Sequence, residues 1–199
     1  MKLYYSPGAC SLSPHIVALE ADLPLQLEKT DLAKKTTASG EDFLKVNPKG
    51  YVPALKLDDG SVLTEGPAIV QFLADKAPAS KLIPAAGTME RYRVLEWLNF
   101  ISTELHKTFS PLFNPATTDA RKQEARDYLA SRFATVEQQL AKTPFITGDS
   151  FTVADAYLFT VLGWGKHVNV ELPKPLQEYL GRLFQRPAVQ QALKEEGLI

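Results

Sequence analysis

Asn47-Pro48-Lys49-Gly50-Tyr51-Val52-Pro53-Ala54-Leu55 is the stretch whose reading decides the fold. Pro53 stands immediately before the apolar run Ala54-Leu55-Lys56-Leu57, at the entrance of a strand. A proline there removes a ladder donor and fixes φ, and the X-Pro bond can be cis at modest cost. A cis bond would turn the N–H and C=O of Val52 toward a cleft, where they could hold an extended peptide by adding it to a sheet edge. On Pro53 alone, a trans proline that caps a strand is the plainer reading.

Downstream, Ala54 to Leu57, the turn Asp58-Asp59-Gly60 and Ser61-Val62-Leu63-Thr64 read as a hairpin, because Asp-Gly between apolar runs favours one. Gly66-Pro67 opens a helix through Lys76 with Ile69, Val70, Phe72 and Leu73 facing inward. Upstream, residues 2–6 form a strand, Pro7-Gly8-Ala9-Cys10 a turn, and residues 11–20 a helix. A second strand follows over 25–32, then a polar, mobile loop over 33–40 and a short helix over 41–46. The first 77 residues are thus βαβ followed by αββα, an α/β domain of four strands.

Residues 78–87 carry the proline and small residues of a linker. From residue 88 to 199 the period is helical throughout, which predicts an all-α second domain. Its helices are expected at 88–109, 118–140, 152–164, 175–185 and 187–195. Thr152-Val153-Ala154-Asp155 reads as a helix-capping box, a folding element and not a catalytic one.

Composition removes several function classes. Net charge is −1 without basic blocks, which argues against a nucleic-acid partner. No apolar run approaches the roughly 18 residues of a membrane span, and the N-terminus lacks a signal-peptide pattern. One cysteine allows no internal disulfide and suits a reducing, cytoplasmic setting. His15, His106 and His167 lack metal-ligand spacing, so no metal is expected.

Two places carry chemistry. Cys10 lies between a strand end and a helix start, where partial positive charge favours a thiolate. Cys10-Ser11-Leu12-Ser13 is a redox Cys-x-x-Cys with its second cysteine replaced by serine, so it can only form a mixed disulfide with a small thiol or hydrogen-bond to one; a buried, inert cysteine is the competing reading. Glu65 precedes a helix and either favours its dipole or captures a ligand ammonium, while the Gly66 N–H takes a carboxylate.

Taken in register, residues 2–11, residues 47–55, Leu63-Thr64-Glu65-Gly66 and Phe151-Thr152-Val153-Ala154-Asp155 resemble the cytosolic glutathione transferases, most closely their bacterial beta class. The resemblance implies a thioredoxin-like N-terminal domain, an all-helical C-terminal domain and a homodimer. It also implies conjugation of glutathione, a co-substrate with no cofactor beside it, to small hydrophobic electrophiles in detoxification. Cys10, Ser11 and His106 would surround the glutathione sulfur. Val52 and Pro53 would pair with the cysteinyl backbone, Glu65 and Gly66 with the γ-glutamyl end, and Lys35 with the glycyl carboxylate. Asn99, Thr103, His106 and Lys107 stand at i, i+4, i+7 and i+8, roughly one helical face; Asn99 of one subunit would reach the neighbour's glutathione, and Thr103 and Lys107 would join it as binding residues. Phe109, Phe113, Trp164 and His167 could line the pocket for the electrophile, or simply pack between helices. The wider family usually has serine where Gly66 stands, so only a backbone N–H remains there. Cys10 could also exchange disulfides as a monothiol. A glutathione-binding carrier or stress-response interaction protein with little turnover is the alternative function.

Overall fold

The computed structural model describes all 199 residues, which divide into two compact units. The first comprises Met1–Ile83 with Gln185–Ile199, and the second Pro84–Phe184.

The first unit is built on a five-stranded sheet. Its elements are β1 (Lys2–Tyr5), α1 (Leu12–Glu20), β2 (Gln26–Asp31), β3 (Thr36–Thr37), α2 (Phe43–Val46), β4 (Ala54–Lys56), β5 (Val62–Thr64) and α3 (Gly66–Lys76). The strand order is β3-β2-β1-β4-β5. β1 and β2 run parallel, and the other pairs are antiparallel. The fifth strand departs from the expected four: Thr36 and Thr37 pair with Asp31 and Thr30. The segment expected as a mobile loop is therefore a tight hairpin. Asp31 accepts from the N–H groups of Ala33 and Lys34, and Lys35 takes the left-handed conformation at φ 56°.

Alternation along β1 sets the core. Tyr4 is buried with Phe43, Val52 and Ala54, its ring centroid 5.7 Å from that of Phe43. Leu3 and its register partner Leu55 point to the opposite face, where both are fully buried. The β4–β5 turn closes as the Asp-Gly pair predicts: Gly60 adopts φ 86° and its N–H bonds the Leu57 carbonyl at 3.0 Å.

The last helix, α9 (Pro187–Glu195), belongs to this unit. The reading of residues 88–199 as one helical domain placed it elsewhere; a helical period shows that a face is apolar, not which core receives it. Both of its ends are tied to α1: at the C-terminus His15, buried on α1, lies between Glu195 (2.8 Å) and Glu196 (3.1 Å), and at the N-cap Arg186 holds Glu20 with two bonds of 2.6 and 2.8 Å.

The second unit contains α4 (Met89–Phe100), α5 (Lys107–Phe113), α6 (Asp119–Leu140), α7 (Val153–Gly163) and α8 (Lys174–Phe184). Thr88 and Thr118 cap α4 and α6 by accepting from the N–H of Arg91 and Arg121. The helix expected over 88–109 is interrupted by a π segment, Ile101–His106. Thr103 Oγ1 bonds back to the Asn99 carbonyl at 3.0 Å, and Pro111 withdraws a backbone donor a turn later. The capping box forms: Asp155 accepts from the Thr152 N–H at 2.8 Å and the Thr152 hydroxyl at 3.0 Å. Its other oxygen accepts from the Ile146 N–H (2.8 Å) and the Tyr179 hydroxyl (2.7 Å). Burial pushes the Asp155 carboxyl up, against the pull of these four donors. No helix is long and apolar enough to cross a membrane.

Candidate functional site

In the first unit the chemistry gathers at one end of the sheet. The Tyr4↔Ala54 and Ala54↔Thr64 pairs put the end of β1, the start of β4 and the end of β5 side by side. The chain leaves β1 toward Cys10, enters β4 from Val52-Pro53, and leaves β5 through Glu65. The Val52–Pro53 bond is cis.

Cys10 is half-buried just ahead of α1, and its thiol donates to the Val52 carbonyl with sulfur and oxygen 3.1 Å apart. The carbonyl expected to face a cleft thus already has a partner. Ser11 is fully buried; its hydroxyl donates to the Ser6 carbonyl (3.3 Å) and accepts from the Ser6 N–H (3.2 Å). It shapes the turn that presents Cys10. The Gly8 N–H in that turn donates to Glu196 at 2.9 Å, and Gly8 supplies the left-handed φ of 70° that the turn requires.

The stretch 47–53 is organised by Asn47, which is buried. Its Nδ2 donates to the Tyr51 carbonyl at 2.7 Å, and its Oδ1 accepts from the Lys49 N–H at 3.1 Å. That loop delivers two partners to Glu65 that sequence reasoning missed. Lys49 Nζ lies 2.5 Å and the Tyr51 hydroxyl 3.0 Å from Glu65 Oε1. The carboxylate in turn raises the pKa of both groups. Glu65 has φ 72° and ψ 114°, a conformation that strains a non-glycine residue and is stored most often at functional positions. Gly66 is buried at the first turn of α3. A Cβ added there would meet only the Pro53 ring, at 3.8 Å, so the space admits a side chain. Lys35 Nζ donates to the Gly50 carbonyl at 2.7 Å, which ties it to the same loop.

In the second unit the π segment changes the expected face. Its wider turn breaks the i, i+4, i+7, i+8 alignment of Asn99, Thr103, His106 and Lys107. Asn99, Thr103 and Lys107 are exposed, and the Asn99 amide donates to the Leu95 carbonyl. Thr103 and Lys107 line a groove of about 450 Å³ with Arg121 and Tyr128 of α6; His106 is not among its walls. His106 is half-buried, with Nδ1 2.6 Å from the Tyr157 hydroxyl and its ring edge-on to Trp164 at 4.8 Å. Trp164 also meets Phe109 (5.8 Å) and Phe113 (5.9 Å). Three of the four residues expected around the electrophile therefore cluster. Phe109 is wholly buried, Phe113 is half-exposed, and His167 is exposed on the turn after Trp164. Tyr157 was not anticipated. The signal available was a hydroxyl within a helix apolar on every side, where a buried O–H requires a partner. No group of three or more His, Cys, Asp or Glu side chains could hold a metal ion.

A sheet of this topology with a cis-proline edge, followed by an all-helical unit, defines a thioredoxin-like domain joined to a helical one. Residues 8–76 match the family model of the glutathione S-transferase N-terminal domain, and residues 100–187 that of its C-terminal domain. The chain belongs to the glutathione S-transferase family. It is 48% identical over 200 residues to glutathione S-transferase GstA of Escherichia coli O157:H7, with both chains covered completely. Among solved structures it is similar to BphK, a bacterial GST in a ternary complex (58% identity, 99% of this chain and 100% of that one, TM-score 0.98). It is also similar in fold to a sphingomonad glutathione S-transferase complexed with glutathione (48% identity, full coverage of both, TM-score 0.96).

Proposed function

We propose that the protein is a beta-class glutathione transferase that joins glutathione to small hydrophobic electrophiles, acting as a cytoplasmic homodimer in detoxification. The observation that carries the reading is the grouping of Cys10, Val52 and Glu65 at one end of one sheet. The tripeptide's cysteinyl backbone pairs with Val52, its γ-glutamyl ammonium with Glu65, its γ-glutamyl carboxylate with the Gly66 N–H, and its glycyl carboxylate with Lys35. When glutathione pairs with Val52, the Cys10 thiol gives up that carbonyl and becomes a donor to the glutathione sulfur. His106 supplies the imidazole of the same machinery, and Ser11, turned toward Ser6, holds the Cys10 turn rather than touching sulfur. Asn99, Thr103 and Lys107 belong to glutathione binding, Asn99 across the dimer. Trp164, Phe109, Phe113 and His167 belong to the electrophile side.

In the reaction the glutathione thiol loses its proton to solvent, and the thiolate uses its electron pair to form the carbon–sulfur bond. The leaving group departs with the pair of the bond it breaks. Cys10 supports a second activity. Its thiolate attacks a sulfur of oxidised glutathione, the S–S bond breaks, a mixed disulfide forms and one glutathione leaves as thiolate. No cofactor enters either step.

Steady-state turnover of an electrophilic aryl halide with glutathione tests the reading. Saturable acceleration in both substrates is expected. A rate no greater than that of the two reagents alone would leave a glutathione-binding carrier or interaction protein.

A further inference from the structure

Within the second unit the hydroxyl of Tyr157 meets the imidazole of His106. Tyr157 is 2% exposed and sits in α7, whose residues from Val153 to Leu162 are all buried. The start of α7 is fixed by the capping box, and Asp155 of that box is tied to Ile146 and Tyr179. The Tyr157 hydroxyl is therefore an immobile point, and it lies 2.6 Å from Nδ1 of His106. The two rings meet edge-on, at 76° and 5.9 Å, while Trp164 crosses the imidazole at 72°. The histidine ring, on the last residue of a π segment, meets the Tyr157 hydroxyl and two aromatic edges.

We propose that Tyr157 is a positioning residue that fixes both the orientation and the tautomer of His106. A bond of this length has two possible polarities. A phenol is the stronger acid of the two neutral groups and an imidazole nitrogen the stronger base, so the O–H donates and Nδ1 accepts. The imidazole proton then resides on Nε2. A His106 in that state offers an N–H donor from Nε2, which suits stabilising a thiolate better than removing a proton from a thiol. The π segment contributes by rotating His106 away from the exposed trio of Asn99, Thr103 and Lys107 toward α7. The proposal rests on the reading of His106 as part of the thiolate-handling machinery, so the test separates the two.

The experiment compares wild type, Tyr157→Phe, His106→Asn and the double variant. Conjugation is followed with saturating aryl halide over a range of glutathione concentrations, and the His106 ring nitrogens by nitrogen NMR. Phenylalanine keeps the ring and removes only the hydroxyl. Tyr157→Phe is expected to lower kcat by about 10-fold with the KM for glutathione unchanged. Its His106 signals should move from the Nε2–H tautomer to a mixture. In the double variant Tyr157→Phe should add nothing to the loss caused by His106→Asn. Wild-type kcat in His106→Asn would remove His106 from the machinery, whatever Tyr157 does. A slowed His106→Asn beside a Tyr157→Phe enzyme with unchanged kcat and tautomer would overturn the positioning role. So would an undiminished further loss in the double variant, which would place the effect of Tyr157 on another route.

Discussion

Glu65→Gln should weaken glutathione binding more than Lys35→Met does, and the structure sets the size of each effect. Glu65 Oε1 holds the Lys49 ammonium and the Tyr51 hydroxyl, so an amide of the same shape keeps the local packing. The substitution removes the charge that we propose meets the γ-glutamyl ammonium, and with it the ion pair to Lys49. A hydrogen bond to a charged group contributes about 1.5–3 kcal/mol, and the neutral counterpart roughly half. The Glu65 side chain is 54% exposed, so solvent screening takes part of that difference. What remains is at most about 1.5 kcal/mol, or roughly 10-fold in Kd. Lys35 is different. Its ammonium already bonds the Gly50 carbonyl at 2.7 Å, and the glycyl carboxylate that we propose as its partner would meet it near the surface. Such pairs contribute about 0–1 kcal/mol, at most about 5-fold. Calorimetric titration of both variants with glutathione, with matched thermal-unfolding curves, gives the ranking. A Lys35→Met loss larger than that of Glu65→Gln would refute the assignment of the γ-glutamyl end to Glu65.

Three further outcomes are expected. Gly66→Ser should fold and bind glutathione more tightly, because a Cβ meets nothing closer than 3.8 Å and a hydroxyl adds a donor for the γ-glutamyl carboxylate; unchanged affinity in titration would show that the backbone N–H already suffices. Oxidised glutathione should add one glutathionyl group in intact-mass spectra, and Cys10→Ala should abolish it while conjugation persists in part; complete loss of conjugation would make Cys10 indispensable to both reactions. Burial, reinforced by the Glu41 carboxylate, pushes the Tyr4 hydroxyl up to about 12. Because the folded value lies above the unfolded one of about 10, its contribution of up to about 2–3 kcal/mol is complete below that pH and is lost as pH rises through the folded value. Tyr4→Phe should flatten this alkaline decline in urea midpoints, and a decline of equal steepness would mean another group causes it.

Much of this architecture was legible because local chemistry and global fold agree. Asp59-Gly60 has the one residue that accepts φ 86° at its turn, Thr152 and Asp155 satisfy each other, and the period changes from strand to helix where the first fold ends. What escaped depends on placement in three dimensions. β3 is two residues long, too short for alternation to register. The apolar face of α9 reads the same whichever core receives it, and its partner is revealed by contacts of the folded chain, among them His15 between two glutamates and Arg186 on Glu20. The π segment alters the angular step without altering composition, so a face drawn at helical period grouped His106 with Thr103 and Lys107. Cys10, Glu65 and Lys35 were legible as chemistry. Their partners in the folded chain, the Val52 carbonyl, Lys49 with Tyr51, and the Gly50 carbonyl, were not.

The central claim is that the protein binds glutathione and ionises its thiol for attack. Thiolate absorbance of the protein–glutathione complex, titrated across pH and corrected for Cys10 with the Cys10→Ala variant, measures this directly. Free cysteine thiols titrate near about 8.5. The account predicts that bound glutathione titrates at least about one unit lower, with the rise in conjugation rate following the same curve. Bound glutathione that titrates like the free thiol, with a conjugation rate following free thiolate alone, would contradict it.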